Sequence, residues 1–412
     1  MENRDIVIVG AGIIGLSIAW QLARRSGLKI TVLEKGAGIG EGSTGASSAI
    51  CRHRYTLDDM VLLARDGINA YRNWQDFTRL SDPAAEFHNE GVLWMPGDDA
   101  TWADQEHERM NQIGIATEVL DSQGMAERFP ALNNCTITPD TETGQEHECN
   151  DNGRNLFEVD GGYVDPVLAT QDLLNASRAA GVDVRFRAAV DSVSLGGGKV
   201  SGVKLASGDE ISAPLVVNAA GPWCMGLYQS VELDIGWPLD PVRIQIVYRD
   251  RPPELEGHIP ITADMGGGIY FRTQNRGAQL LVGSVLEEDE EEVVSDPDQF
   301  QTETDHEFEM VKLHLLHHRL PTLSYSSRIR GYCGLYTVNR ADQHPILGPT
   351  PVDGLWAANG FSGHGFKLAP AVGGMLAAAI TGNASDYDPE VGMDLFSFDR
   401  QPIKIDTRSA LA

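Results

Sequence analysis

Positive charge is what this chain has least of. Seven of its 32 basic residues are lysine, 59 residues are acidic, and the formal net charge is −27. Binding a polyanion needs a basic surface, so nucleic acid is not expected as a partner. An acidic, lysine-poor surface suits a high-salt cytoplasm, where screening reduces self-repulsion; an acidic bacterial enzyme has the same composition, and both readings stand. Cysteine is sparse as well. Cys51, Cys135, Cys149, Cys224 and Cys333 form no CxxC pair and no metal-ligand spacing, and an odd number argues against a disulfide framework. No metal is expected. No apolar run approaches the ~20 residues of a membrane span, and no charged-then-apolar leader precedes the first strand, so a cytoplasmic location is expected. There is no internal repeat, and 412 residues are long for one core, which points to two interleaved domains.

What is present begins at once. Ile6-Val7-Ile8-Val9 reads as a buried strand, followed by Gly10-Ala11-Gly12-Ile13-Ile14-Gly15, an apolar helical pattern, and a second strand ending Val32-Leu33-Glu34. Each part has a task if a dinucleotide lies there. Gly10 makes the tight turn, Gly12 admits the pyrophosphate, and Gly15 lets helix and strand pack closely. The helix N-terminus faces the phosphates. Glu34, about twenty residues past the first glycine, is placed to accept hydrogen bonds from ribose hydroxyls, whereas a 2′-phosphate would be repelled.

Further along, Gly42 to Ala49 is small and hydroxyl-rich, suited to close approach of a flat ring or a phosphate; an ordinary solvated loop is the alternative. Arg52-His53-Arg54-Tyr55 is a basic cluster in an acidic protein. It can hold a carboxylate or form surface ion pairs, and the residues alone do not separate these. Apolar spacing predicts helices over 57–80, 101–129 (closed by Pro130), 166–180 and 299–316, and strands at 91–95, 182–186, 200–205, 215–221, 242–248, 268–273, 279–285, 331–338 and 354–358. Residues 139–160 turn polar and acidic and read as an exposed insertion. Glu287 to Glu292 reads as a solvated turn. Gly360 to Lys367 is a glycine-rich junction opening a small-residue helix through about Ile380.

The GAGIIG fingerprint with Glu34, the segment Val217-Asn218-Ala219-Ala220-Gly221-Pro222-Trp223, and the junction Gly360-Phe361-Ser362-Gly363-His364-Gly365-Phe366-Lys367 together resemble the D-amino-acid-oxidase-like flavoenzymes. Among these the chain looks most like monomeric sarcosine oxidase and its relatives, from about residue 4 to about 400. The resemblance implies an α/β (α+β overall) chain, with a Rossmann-like FAD-binding domain and a discontinuous substrate domain built on a mainly antiparallel sheet. The implied segments are 1–85, 161–235 and 328–412 for FAD, and 86–160 and 236–327 for substrate. It implies FAD contacts from Gly10, Gly12, Ile13, Ile14, Gly15, Glu34, Lys35, Ser43, Thr44, Ser47, Ser48, Gly221, Gly363, His364, Gly365, Phe366 and Lys367. The reaction it implies is oxidation of the C–N bond of an amino acid or a secondary amine bearing a carboxylate, with hydride passing to flavin N5 and water hydrolysing the imine. The protein supplies orientation and electrostatics. Arg52 falls on the family arginine for the substrate carboxylate, Lys367 on the lysine that supports it, and Tyr270 on an aromatic near the substrate.

Four departures stand out. Leu281 falls where the sarcosine oxidases place a lysine that promotes reaction with oxygen, Val285 where they place a histidine, and Ala49 near a basic residue against the flavin. A cation beside the reduced ring would stabilise developing superoxide, and leucine does not, so an acceptor other than oxygen is expected at least as strongly. The family cysteine that bonds the flavin lies two residues before a Tyr-Thr pair; here Gly334 holds that place, with Cys333 one residue earlier. A shift of one turns a strand side chain to the opposite face, so non-covalent FAD is expected. The same fold also oxidises C–O bonds, which keeps a 2-hydroxy-acid dehydrogenase open. The missing lysine and histidine keep open a flavin-holding subunit or assembly factor acting through a partner protein.

Overall fold

The computed structural model describes residues 2–405 apart from 152, 326 and 327, so the expected domain edge at residue 327 lies outside the described residues. Its first layer is a six-stranded sheet in the order Ile346–Pro349, Leu355–Asn359, Leu215–Asn218, Ile6–Val9, Ile30–Leu33, Asp183–Arg185, parallel except for the first strand. Parallel strands buried on both faces read as unbroken apolar runs, which is why Ile6–Val9 does not alternate. Ile6 and Ile8 face the core shared with the helices Ile13–Arg25, Asp58–Arg72, Pro166–Ala179 and Gly365–Thr381. Val7 and Val9 face the opposite core, under a four-stranded sheet that includes Val190–Gly196 and Lys199–Leu205.

A second sheet of eight strands runs Ile329–Asn339, Leu239–Asp250, Gln279–Ser284, Ile269–Gln274, Ile261–Asp264, Val92–Met95, Asn155–Glu158, Thr117–Leu120. It is antiparallel throughout except where Ile261–Asp264 pairs with Val92–Met95. Helix His306–Arg319 covers one face through Phe308, Leu313 and Leu316, which pack with Leu280, Val282, Phe271 and Leu93. Ile329–Asn339, in the segment expected to return to the cofactor domain, pairs with Leu239–Asp250 as the edge of this sheet.

Several element boundaries differ from the sequence reading. The expected helix over 101–129 is a helix Trp102–Gln112, a strand Thr117–Leu120 and a helix Ser122–Arg128. Gly114 at φ +83° ends the first, and Asp121 caps the last by accepting the Gly124 N–H at 2.9 Å, as short acidic caps do. The helix over 57–80 breaks at Asn73 into Asp58–Arg72 and Trp74–Thr78. Residues 299–305 are not helical; the helix expected over 299–316 runs His306–Arg319. The exposed insertion is real over 141–146, but Asn155–Glu158 is a buried strand inside the sheet.

Candidate active site

Helix Ile13–Arg25 begins at Gly12 with no cap from its own N-cap residue and no acidic residue in its first turn, so its positive dipole end is open to an anion. The approach is tight by construction. A Cβ on Gly15 would sit 2.0 Å from the Gly10 carbonyl oxygen, and one on Gly10 would sit 2.4 Å from that of Ala219. Ile13 donates its backbone N–H to Thr44 Oγ1 at 3.2 Å, and Ile14 is buried beside it. Glu34 closes the other side, accepting the Ala11 N–H at 2.9 Å and the Gly36 N–H at 2.8 Å. Gly221 opens a short turn at φ +53°. Ser43 Oγ is buried without a hydrogen-bond partner, a costly state that a bound polar group would relieve. An uncapped helix end, a glycine turn, the Glu34 carboxylate and an orphaned hydroxyl together fit the pyrophosphate and ribose of FAD.

Lys35 lies at the rim instead. Its ammonium is 4.0 Å from the Trp223 ring centroid and pairs with Asp298, whose carboxylate also accepts the Trp223 Nε1–H at 3.0 Å.

Helix Gly365–Thr381 supplies a second uncapped N-terminus. Its partner is helix Asp58–Arg72, which comes so close that a Cβ on Gly67 would lie 2.1 Å from the Lys367 carbonyl oxygen; only glycine fits. Tyr71 donates its hydroxyl to the Phe366 carbonyl at 2.8 Å and stacks on the Phe366 ring at 5.1 Å. The two ends of the chain are thereby locked at the junction. His364 is fully buried with its ring edge-on to Tyr55 at 5.1 Å, while Gly363 backs onto the Tyr336 ring.

A pocket of ≈ 60 Å³ is lined by Ser47, Ser48, Arg52, Trp94, Ile261, Tyr270, Val285, Tyr336, Gly363, Phe366 and Lys367 among others, with no acidic side chain among its described lining residues. The basic cluster is buried, not at the surface: Arg52, His53 and Arg54 are 6%, 4% and 6% exposed. Arg52 lies 4.2 Å above the Tyr55 ring and 5.5 Å from Trp94, and Lys367 Nζ lies 5.8 Å from the same Tyr55 ring. Burial, and after it the Arg52 guanidinium, hold the Lys367 ammonium well below the usual lysine range. Two basic side chains sharing one desolvated space suit an anionic ligand, whose charge would favour the protonated lysine.

Tyr270 lies across Gly283 of the neighbouring strand, and burial pushes its phenol up. Leu280 and Val282 belong to the core under helix His306–Arg319, so alternation puts Leu281 on the Tyr270 face, where it is 1% exposed and opposite Arg272. Gly334 faces the cofactor loop, since a Cβ there would lie 2.5 Å from Ala46 Cβ. Cys333 points the other way, its thiol 3.3 Å from the Glu303 carbonyl.

Sequence reasoning missed the carboxylate that shapes this pocket. Glu158, fully buried, accepts the backbone N–H of His53 at 2.7 Å and of Arg54 at 2.9 Å, and the Trp94 indole N–H at 2.8 Å. His53 Nδ1 lies 3.2 Å away. Burial pushes the Glu158 carboxyl up, but the hydrogen bonds and charge of His53 with the two backbone N–H groups outweigh it, and its pKa ends below the usual value. Arg272 was missed too; its Nε donates to the Ser48 carbonyl at 2.8 Å and its guanidinium lies 4.3 Å from the Tyr163 ring.

Comparison with known proteins finds relatives along most of the chain. Glycine oxidase of Pseudomonas aeruginosa is 27% identical over 405 residues, 94% of this chain and 97% of that protein. FAD-dependent oxidoreductase domain-containing protein 1 of Xenopus laevis is 25% identical, over 92% of this chain and 79% of that protein. Human dimethylglycine dehydrogenase is 25% identical over 94% of this chain, which spans 43% of that longer protein. Among solved structures, L-proline dehydrogenase from P. horikoshii shares the fold with a TM-score of 0.80 at 23% identity, covering 96% of this chain and 97% of that one. The family match runs over residues 5–379, through both uncapped helix ends and the whole eight-stranded sheet, and the chain belongs to the DAO family of FAD dependent oxidoreductases.

Proposed function

We propose that this flavoenzyme oxidises the C–N bond of a small amino acid or N-alkyl amino acid, with Arg52 and Lys367 holding the carboxylate. The observation that carries the reading is the convergence of those two side chains, from opposite ends of the sequence, on one Tyr55 ring in a pocket wall without an acidic residue. A carboxylate is the ligand that suits two basic side chains lining one desolvated pocket. Bound FAD supplies a two-electron acceptor for the substrate hydride. Residues of the chain do the rest. Arg52 and Lys367 fix the acid end, Tyr270, Tyr336 and Trp94 exclude water, and no carboxylate among the described lining residues pairs with the amine to hold it protonated. Hydrolysis of the resulting imine by water then gives a carbonyl compound and the amine.

Glycine oxidase and dimethylglycine dehydrogenase among the relatives are named for substrates of this kind, which supports the class without naming the compound. The aliphatic Leu281 on the Tyr270 face supports transfer of electrons to a carrier other than oxygen. The direction of Cys333, away from Ala46 and toward Glu303, supports non-covalent FAD. Anaerobic mixing with N-methyl amino acids, cyclic secondary amino acids, D-amino acids and 2-hydroxy acids tests the reading. Bleaching of the flavin by an amino acid is expected. Bleaching by hydroxy acids alone overturns it, and no bleaching in a protein that copurifies with a stable partner identifies a flavin-holding subunit.

A further inference from the structure

The acidic loop between the Ser122–Arg128 helix and the Asn155–Glu158 strand folds back on itself and brings together residues that are far apart in sequence. Cys135 Sγ lies 3.4 Å from His147 Nε2, Cys149 Sγ lies 4.0 Å from the same nitrogen, and all three ligand atoms fall within 4.8 Å of one another. A tetrahedral zinc site with the usual Zn–S and Zn–N lengths requires S···N separations of about 3.6 Å and S···S of about 3.8 Å. A fourth group, an imidazole, stands nearby, its ring nitrogens outside that 4.8 Å cluster. His318, at the end of helix His306–Arg319, has its ring centroid 5.3 Å from that of His147, and two imidazoles on one tetrahedral ion sit about 5.2 Å apart, centre to centre. Its Nε2 is buried without a hydrogen-bond partner.

The scaffold under the cluster is rigid. Arg319, 1% exposed and paired with Asp264 at 2.5 Å, donates to the Cys135 carbonyl at 2.5 Å and to the Asn133 carbonyl at 3.2 Å. Asn133 in turn donates to the His318 carbonyl at 3.0 Å and points its amide at Cys149 Sγ, 3.7 Å away. The loop and the helix end are therefore tied together beside the three clustered ligands and His318.

We propose that Cys135, His147, Cys149 and His318 form a closed structural site for a thiophilic divalent cation of the zinc class, clipping the acidic loop to helix His306–Arg319. Two thiolates and two imidazoles match zinc in charge and softness, and four protein ligands leave no open position for catalysis. Binding releases the thiol protons. The site is independent of the flavin pocket and of the substrate assigned to it.

The test uses the full-length, FAD-loaded protein without a histidine tag, grown with Zn²⁺ and purified without chelator. Atomic emission should give one zinc per flavin. A thiol-specific mercurial should release it stoichiometrically to a colorimetric zinc indicator. C149S, which changes an exposed side chain, should lose the zinc while keeping its flavin spectrum and turnover, and H318A should release zinc to a chelator far faster than wild type. A protein free of zinc after growth with it, a Cys135–Cys149 disulfide in non-reduced peptide maps, or a C149S variant that retains full zinc would each overturn the proposal.

Discussion

Glu158 receives the backbone N–H of His53 at 2.7 Å, and through that bond a carboxylate with no solvent exposure sets the path of the chain on which Arg52 is carried. The same carboxylate takes the Arg54 N–H and the Trp94 indole. Glu158 is a positioning residue, since it acts through Arg52 and lines no part of the pocket.

Glu158→Gln should therefore cost about 1–3 kcal/mol of stability, the penalty for buried donors left short of an acceptor. KM for the carboxylate substrate should rise more than kcat falls. The stability difference has a pH signature. A carboxyl whose folded pKa is depressed contributes stability that is present above its unfolded pKa and lost as pH falls through the folded value. The gap between wild type and variant, measured by chemical denaturation, should be full at neutral pH and close below about pH 4.

Lys367 carries the opposite sign. Burial and Arg52 hold it below the usual lysine range, so between its folded and unfolded pKa values the unfolded chain binds the extra proton and stability rises with pH up to about 10.4. Lys367→Met should raise the melting temperature of the substrate-free holoenzyme at neutral pH, with the gain shrinking toward pH 10. Binding of an unreactive carboxylate to wild type should take up a proton, visible as a buffer-dependent binding enthalpy, and Lys367→Met should abolish that dependence.

Leu281→Lys tests the electron acceptor. An ammonium on the Tyr270 face would stabilise charge developing on oxygen, so reoxidation of the reduced flavin by oxygen should speed up by about tenfold or more. Reduction by substrate should change little. Equal oxygen reactivity in the two proteins would remove Leu281 from the explanation.

A net charge of −27 makes the folded state repel itself. Lowering ionic strength lengthens the screening distance from about 8 Å at 0.15 M to about 30 Å at 0.01 M, and the melting temperature should fall with it. Continued stabilisation into molar salt would identify adaptation to a high-salt cytoplasm; a plateau near 0.15 M would identify an ordinary acidic enzyme.

The cofactor half of the site was legible because its signals are local. Gly10, Gly12, Gly15 and Glu34 lie on one strand-turn-helix-strand unit, and the Gly360 to Lys367 junction repeats the logic at the other end of the chain. The reading failed where a residue's role comes from distant partners. Glu158 is hidden in a stretch whose acidic composition resembles an exposed loop, and the pairing of Asn155–Glu158 with Val92–Met95 on one side and Thr117–Leu120 on the other places it inside the sheet. Cys135, His147 and Cys149 are spread along the loop, and its fold, which sequence spacing does not show, brings their ligand atoms within 4.8 Å of one another. Within 101–129 the apolar spacing continued past Gly114, whose positive φ stops the helix, and a strand with its own partner took the next residues.

The most direct test of the carboxylate clamp compares Arg52→Met with wild type on an amino-acid substrate and on the same amine lacking its carboxylate. Rapid anaerobic mixing reads flavin reduction for each. Loss of the buried ion pair should lower kcat/KM for the amino acid by about 2–4 kcal/mol, roughly 30- to 700-fold, chiefly through KM. The decarboxylated amine should be reduced at the same rate by both proteins. Equal losses on both compounds, or no loss on either, would contradict a role for Arg52 in holding a carboxylate.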